Sequence, residues 1–157
     1  MIKIKSQIGN LLHVKSGHIV HGCNAQGVMG SGVARAVRDT YPFAYEQYRK
    51  QWETNGLQLG AVYPVQVKPA LMIWNAITQD NFGWGERQVS YDAIQTCFQY
   101  VEDFIQGTEN DVPKEIHIPM IGAARGGGNW EIIREIIEQT VTFPVTLWLP
   151  DSTVTTL

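Results

Sequence analysis

Two stretches of this chain put glycines between an apolar run and a helix-like pattern: "NAQGVMGSGVA" (Asn24 to Ala34) and "IGAARGGGNW" (Ile121 to Trp130). Glycine tolerates positive φ and lets the main chain come close to a ligand. A helix that follows offers unpaired N–H groups and the positive end of its dipole. Together they form a cradle for phosphate or ribose, and two cradles suit a ligand with two phosphates, or a phosphate and a sugar. Two common nucleotide motifs fail on detail. A P-loop needs Gly-Lys-Ser/Thr, and neither stretch has the lysine. A dinucleotide motif needs a third glycine where Arg35 stands, and a strand where a second helix pattern follows.

Side chains near these stretches offer further chemistry. Asn24 ends an apolar run, where it either contacts a ligand or caps the turn. His21 precedes it in "HIVHGCN". Strand alternation puts His21 on the face opposite Asn24 unless the chain bends at Gly22. It reads either as a satisfied core histidine or as a proton donor. Asp80 follows the run "LMIWNAIT" and is either a solvated loop acid or a group that activates water. Phe82 and Trp84 either lid a ligand or shield a loop. No histidine–acid pair is legible around Cys23, which reads as core packing. Tyr45, Tyr48, Trp52 and His117 also read as packing residues.

The rest of the chain must hold these groups in place. It has 157 residues, 44% hydrophobic and 17% charged, which suits one globular domain over 1–157. The net charge of −3 argues against a general nucleic-acid binder but not against a small anion held by main-chain amides. Cys23 and Cys97 make no disulfide framework and no zinc spacing, so a reducing compartment and no metal are expected. No signal-peptide core and no membrane-length apolar run is present, so the expectation is a cytoplasmic protein away from membranes.

"IKIKS" alternates as a half-buried strand, and "HIVHG" reads as a buried one. Gly9-Asn10 between them signals a turn. Ser31 stands as N-cap of "GVARAVRDT", in which Val33, Ala36 and Val37 make one apolar face. Pro42 opens a second helix that Asn55-Gly56 ends. "AVYPVQV" and "LMIWNAIT" form a hairpin about Pro69-Ala70. A helix from Ser90 to Gly107, a strand "EIHIPMIG", a helix after Asn129 and a last strand "VTLWL" complete the order. The class is α/β, with a mostly parallel or mixed sheet between helical layers. Ligands in such sheets bind outside the carboxyl ends of the strands, where both glycine loops fall.

With these residues in hand, the chain resembles the macro domains, a family that binds ADP-ribose. The resemblance rests on Asn24-Ala25 followed by Gly30-Ser31-Gly32-Val33-Ala34, and on the second loop, in that order. It runs from Ile2 to about Leu149. "GNLL" after the first strand, His21 before Gly-Cys-Asn, and "YP" after the first helix are most like the branch with ADP-ribose 1''-phosphate phosphatases. The resemblance implies a three-layer α/β/α fold with a central mixed, mostly parallel sheet of about six strands. It implies ligand contacts at Gly9, Asn10, Leu11, Asn24, Gly30, Ser31, Gly32 and Val33. In the second loop it implies Ile121, Gly122, Ala123, Ala124, Arg125, Gly126, Gly127 and Gly128. Asn10 stands where many members have an aspartate that accepts the adenine amino group, so that bond loses its charge assistance.

The activity this implies is release of phosphate from ADP-ribose 1''-phosphate, without metal or cofactor. His21 would donate a proton, Asp80 would activate or position water, and Asn24 would orient the distal ribose. Arg125 either stabilises phosphate charge or faces solvent. A related branch cleaves ADP-ribosyl-glutamate with a lysine and an aspartate, and Gln79 and Gly126 stand at those places. Hydrolysis of another ADP-ribose linkage, and reading of ADP-ribose without turnover, stay open.

Overall fold

In the computed structural model, residues 1–81, 88–123 and 126–150 are described. The elements are β1 (Lys5–Ile8), a 3-10 turn (Leu11–His13), β2 (Gly17–Asn24), α1 (Gly32–Thr40), α2 (Pro42–Asn55), β3 (Val62–Lys68) and β4 (Leu71–Gln79). They continue with α3 (Tyr91–Gly107), β5 (Ile116–Ile118), α4 (Trp130–Thr140) and β6 (Val145–Leu149). The strands form one six-stranded sheet in the order β1-β6-β5-β2-β4-β3. All neighbours are parallel except β3 and β4, the expected hairpin.

The two continuous apolar runs, β2 and β4, pair at the middle of the sheet and are buried along almost their whole length. Strands covered on both faces have no polar side to present, which is why their sequence does not alternate. On one face Val20, Trp74, Ile116, Ile118, Leu147 and Leu149 pack with Phe98 and Ile105 of α3 and Ile133 and Ile137 of α4. On the other, Ile19, Ile73 and Val65 pack with Leu11, Leu12, Val37 of α1 and Ala44 of α2. The architecture is therefore three layers, α/β/α. Each large side chain buried this way stabilises the fold by roughly 1.5–3 kcal/mol. One polar pair is sealed into the α3 side: the Trp74 Nε1–H donates to His18 Nδ1 at 3.0 Å. Burial and, secondarily, the nearby His117 hold His18 down to about 4.

Three expectations need correction. The first strand is Lys5–Ile8, not "IKIKS", and it is exposed throughout, because it lies at the sheet edge. Ile2 and Ile4, before it, are the residues that pack on the core. The strand expected within "EIHIPMIG" is only Ile116–Ile118, because Met120 to Ala123 already turn. In α1 only Val37 is buried; Val33 and Ala36 point away from the core. They line the cavity described next.

Candidate functional site

A cavity of about 910 Å³ runs along the carboxyl edge of the sheet. Its lining follows the strand order: Gly9 and Asn10 after β1, Trp148 to Pro150 at the end of β6, and Pro119 to Ala123 after β5. Gly22 to Asn24 at the end of β2, then Thr78 and Gln79 at the end of β4, complete that edge. Five strand ends at the usual spacing extend roughly 19 Å. Val33, Ala34 and Ala36 of α1 close it from the side. The β1–β6 end is apolar, with Leu11, Leu12, Trp148, Leu149 and Pro150; the β2–β4 end carries the polar Asn24, Thr78 and Gln79. Among the described lining residues the only titratable group is the Cys23 thiol, and burial pushes it far above its ordinary value.

The middle of the cavity faces the start of α1. Ser31 is its N-cap residue but makes no side-chain bond to the first turn. The first intrahelical bond is Arg35 N–H to Ser31 O at 3.3 Å, so the N–H groups of Gly32, Val33 and Ala34 have no helix partner. The other two serine- or asparagine-headed helices differ. Ser90 caps α3 by accepting from Ala93 N–H at 3.1 Å, and Asn129 caps α4 by accepting from Glu131 N–H at 2.9 Å. At α1 the positive end of the dipole is left open toward the cavity.

The loop before α1 is fixed by Asn24. Its Nδ2 donates to Val28 O at 2.9 Å, and its Oδ1 accepts from Gln26 N–H at 2.9 Å. The buried Tyr48 hydroxyl lies 2.7 Å from Asn24 O and 3.0 Å from its Oδ1. Arg49 donates to Gly27 O at 3.0 Å; Gly27 has φ +78, and an added Cβ there would sit 2.7 Å from the Trp52 ring. Asn24 thus lines the cavity while its side chain holds the turn. Tyr48, read from sequence as packing, is what holds Asn24.

The second loop is closed on itself. Gly128 N–H donates to Gly122 O at 2.8 Å, and Gly126 O accepts from Gln88 and Val89 N–H at 2.8 and 3.1 Å. An added Cβ at Gly126 would meet Gly122 O at 2.7 Å, and one at Gly128 would meet Val89 Cγ1 at 2.6 Å. These glycines are required by the loop's packing on itself and on Val89, besides any ligand. Gly122 and Ala123 line the cavity with Gly126; Gly127 is exposed, with φ +71, and neither it nor Gly128 is in the lining. Ala124, Arg125, Phe82 and Trp84 lie outside the described residues.

Gly9, Asn10, Leu11, Asn24, Gly30, Ser31, Gly32, Val33 and Ile121 come together in the cavity. The two residues expected to do acid–base chemistry do not line it. His21 is fully buried under the β2–β4 pair, with Nε2 2.7 Å from Asn75 Oδ1, while Asn75 Nδ2 donates to Ala44 O at 3.2 Å. Burial lowers His21 to about 4, with the Asn75 bond opposing. The register shift between Cys23 and Asn24 lets the strand end turn toward the cavity while His21 stays on the α2 side. Asp80 is exposed, and its carbonyl accepts from Ala25 N–H at 3.2 Å and Gln26 Nε2 at 2.9 Å. It stands one residue beyond the lining residue Gln79. Asn10 accepts from Leu12 N–H at 2.9 Å, so its oxygen caps the 3-10 turn.

Sequence reasoning missed Thr78, Met120 and above all Trp148, whose alternation with Leu147 and Leu149 was the available signal. Among the described residues no three His, Cys, Asp or Glu side chains gather as for a metal, and no helix is long and apolar enough to cross a membrane.

The comparisons agree with this geometry. The family model for the macro domain matches residues 20–137, and the chain belongs to that family. A 17.5 kDa protein of Enterobacteria phage T4 is 30% identical over 131 residues, 81% of each chain. A DNA ADP-ribosyl glycohydrolase of Thermus aquaticus is 26% identical across 85% of this chain, which spans only 36% of that protein's length. An ADP-ribose 1''-phosphate phosphatase of Candida albicans is 24% identical across 77% of this chain and 80% of its own. A macrodomain protein of Streptomyces coelicolor superimposes with a TM-score of 0.76 at 30% identity, covering 94% of this chain and 99% of its own.

Proposed function

We propose that this chain binds ADP-ribose and releases phosphate from ADP-ribose 1''-phosphate. The observation that carries the reading is the cavity itself. An apolar end suits a base, open helix N–H groups at the middle suit a diphosphate, and amide and hydroxyl side chains at the far end suit a ribose. The phosphatase and glycohydrolase relatives both act on ADP-ribose derivatives by name. Gln79 argues against the ADP-ribosyl-glutamate reading, since a neutral amide stands at the place of the lysine used by that branch.

In this reading water attacks phosphorus, the bond from phosphorus to the ribosyl oxygen breaks, and the water's proton ends on that oxygen. The products are orthophosphate and ADP-ribose. Main-chain N–H groups offset charge on the phosphates. Asp80 takes up and returns the proton. His21 has no proton-transfer role here; it braces β2 against β4 through Asn75. The test is incubation with ADP-ribose 1''-phosphate in chelator, followed by phosphorus NMR, alongside calorimetry with ADP-ribose. Release of orthophosphate supports the reading. Binding without release moves the activity to another linkage, with ADP-ribosylated DNA as the next substrate, or to a reader. No heat with ADP-ribose refutes it.

A further inference from the structure

Trp148 is the wall between two hollows. On one side is the base end of the cavity. On the other is a recess of about 390 Å³ lined by His13, Lys15, Ser16, Glu115 and His117, with Gly9, Asn10 and Trp148 common to both. Gly9 lies flat against the indole: an added Cβ would sit 2.8 Å from Cζ3. The indole edge is fixed from the recess, where the Trp148 Nε1–H donates to His117 Nδ1 at 3.0 Å. The His117 ring is buried, tilted 43° to the indole, with centroids 6.0 Å apart.

This bond selects one state of His117. Nδ1 accepts, so in the neutral ring the proton is on Nε2, which makes no hydrogen bond and lies 3.4 Å from Glu115 Oε1. A proton added at Nδ1 would set donor against donor and release the indole. The charged and titratable groups facing the ring are Glu115, with His13 and Lys15 in the recess; His18, paired beside Ile116, is on the opposite face of the sheet.

We infer that His117 is a positioning residue for the base end of the ligand: it sets the affinity for the base by holding Trp148 as the cavity wall. This rests on the reading that the cavity holds ADP-ribose with its base between β1 and β6. His117 touches no ligand; it acts only through Trp148.

Three variants and two probes test this. His117→Leu removes the acceptor, His117→Gln restores one through its amide oxygen, and Trp148→Phe keeps a ring without the N–H. Dissociation constants are measured by NMR titration with ADP-ribose and with ribose 5-phosphate, which lacks the base. The expected result is at least a tenfold loss for ADP-ribose in His117→Leu, roughly threefold or less in His117→Gln, and no change for ribose 5-phosphate. In the Trp148→Phe background, His117→Leu should add nothing. If His117→Leu does not fold, Trp148→Phe alone should show the base-selective loss. Unchanged ADP-ribose affinity in these variants overturns the inference, as does an equal loss for both probes. If the unmodified protein binds no ADP-ribose, the functional reading itself has failed and the inference falls with it.

Discussion

Gly126→Ala is the sharpest probe of the second loop. Its added methyl would sit 2.7 Å from Gly122 O and 3.1 Å from Gly122 C and Cα. Ordinary contact begins at 3.4 Å, so the two strands of the loop must part by about 0.7 Å, and the obstacle is backbone that cannot rotate away. Overpacking of this kind costs roughly 1–3 kcal/mol of stability. The larger effect falls on binding. A shift of that size takes N–H groups out of the narrow range in which they bond phosphate oxygen. Each such bond to a charged group contributes about 1.5–3 kcal/mol, so losing one means at least a tenfold weaker complex and losing two roughly a hundredfold. Gly107→Ala, at the end of α3 with nothing within 4 Å, is the matched control. Calorimetry with ADP-ribose and thermal unfolding of both variants make the comparison. A folded Gly126→Ala protein with unchanged affinity would show that the loop does not grip the ligand.

Ser31→Asp should give the open end of α1 a capping carboxylate, stabilising the fold by about 0.5–2 kcal/mol while weakening ADP-ribose binding at least tenfold, read by the same two measurements. Asp80→Asn should lower the rate of phosphate release by about 10²–10⁴-fold with product affinity little changed. His21→Leu should instead lower the unfolding temperature and leave the rate per folded molecule within roughly tenfold. His18 and His21 are both held near 4 in the fold, below their unfolded value, so the stability they protect is complete above about pH 6.5 and lost as pH falls toward 4. Urea midpoints at pH 7, 5.5 and 4.5 should fall in that order.

Local signals carried most of the element order. Pro42 and Gly56 bound α2 as expected, and Ser90 and Asn129 cap α3 and α4, because capping is decided within a few residues. The two glycine loops were legible for the same reason. Long-range pairings were not. His21 meets Asn75 across 54 positions, and nothing near His21 announces that its ring is occupied. Trp148 faces the cavity only because β6 lies beside β1, a neighbour from the far end of the chain. The apolar face of α1 was visible, but sequence could not say that Val33 and Ala36 would face a ligand cavity and Val37 the core.

The open start of α1 has a consequence for how this site tolerates change and salt. Its donors at Gly32, Val33 and Ala34 are main chain, and the described cavity lining presents no side-chain cation. A contact made by amide dipoles survives replacement of the residue that bears it, provided the fold and the glycine conformations persist. Such a site can be inherited across chains that share only about a quarter of their residues, as the phosphatase and glycohydrolase relatives do. It also holds an anion with few mobile counterions to displace, so binding through it should vary little with ionic strength, unlike capture by a surface of lysines and arginines.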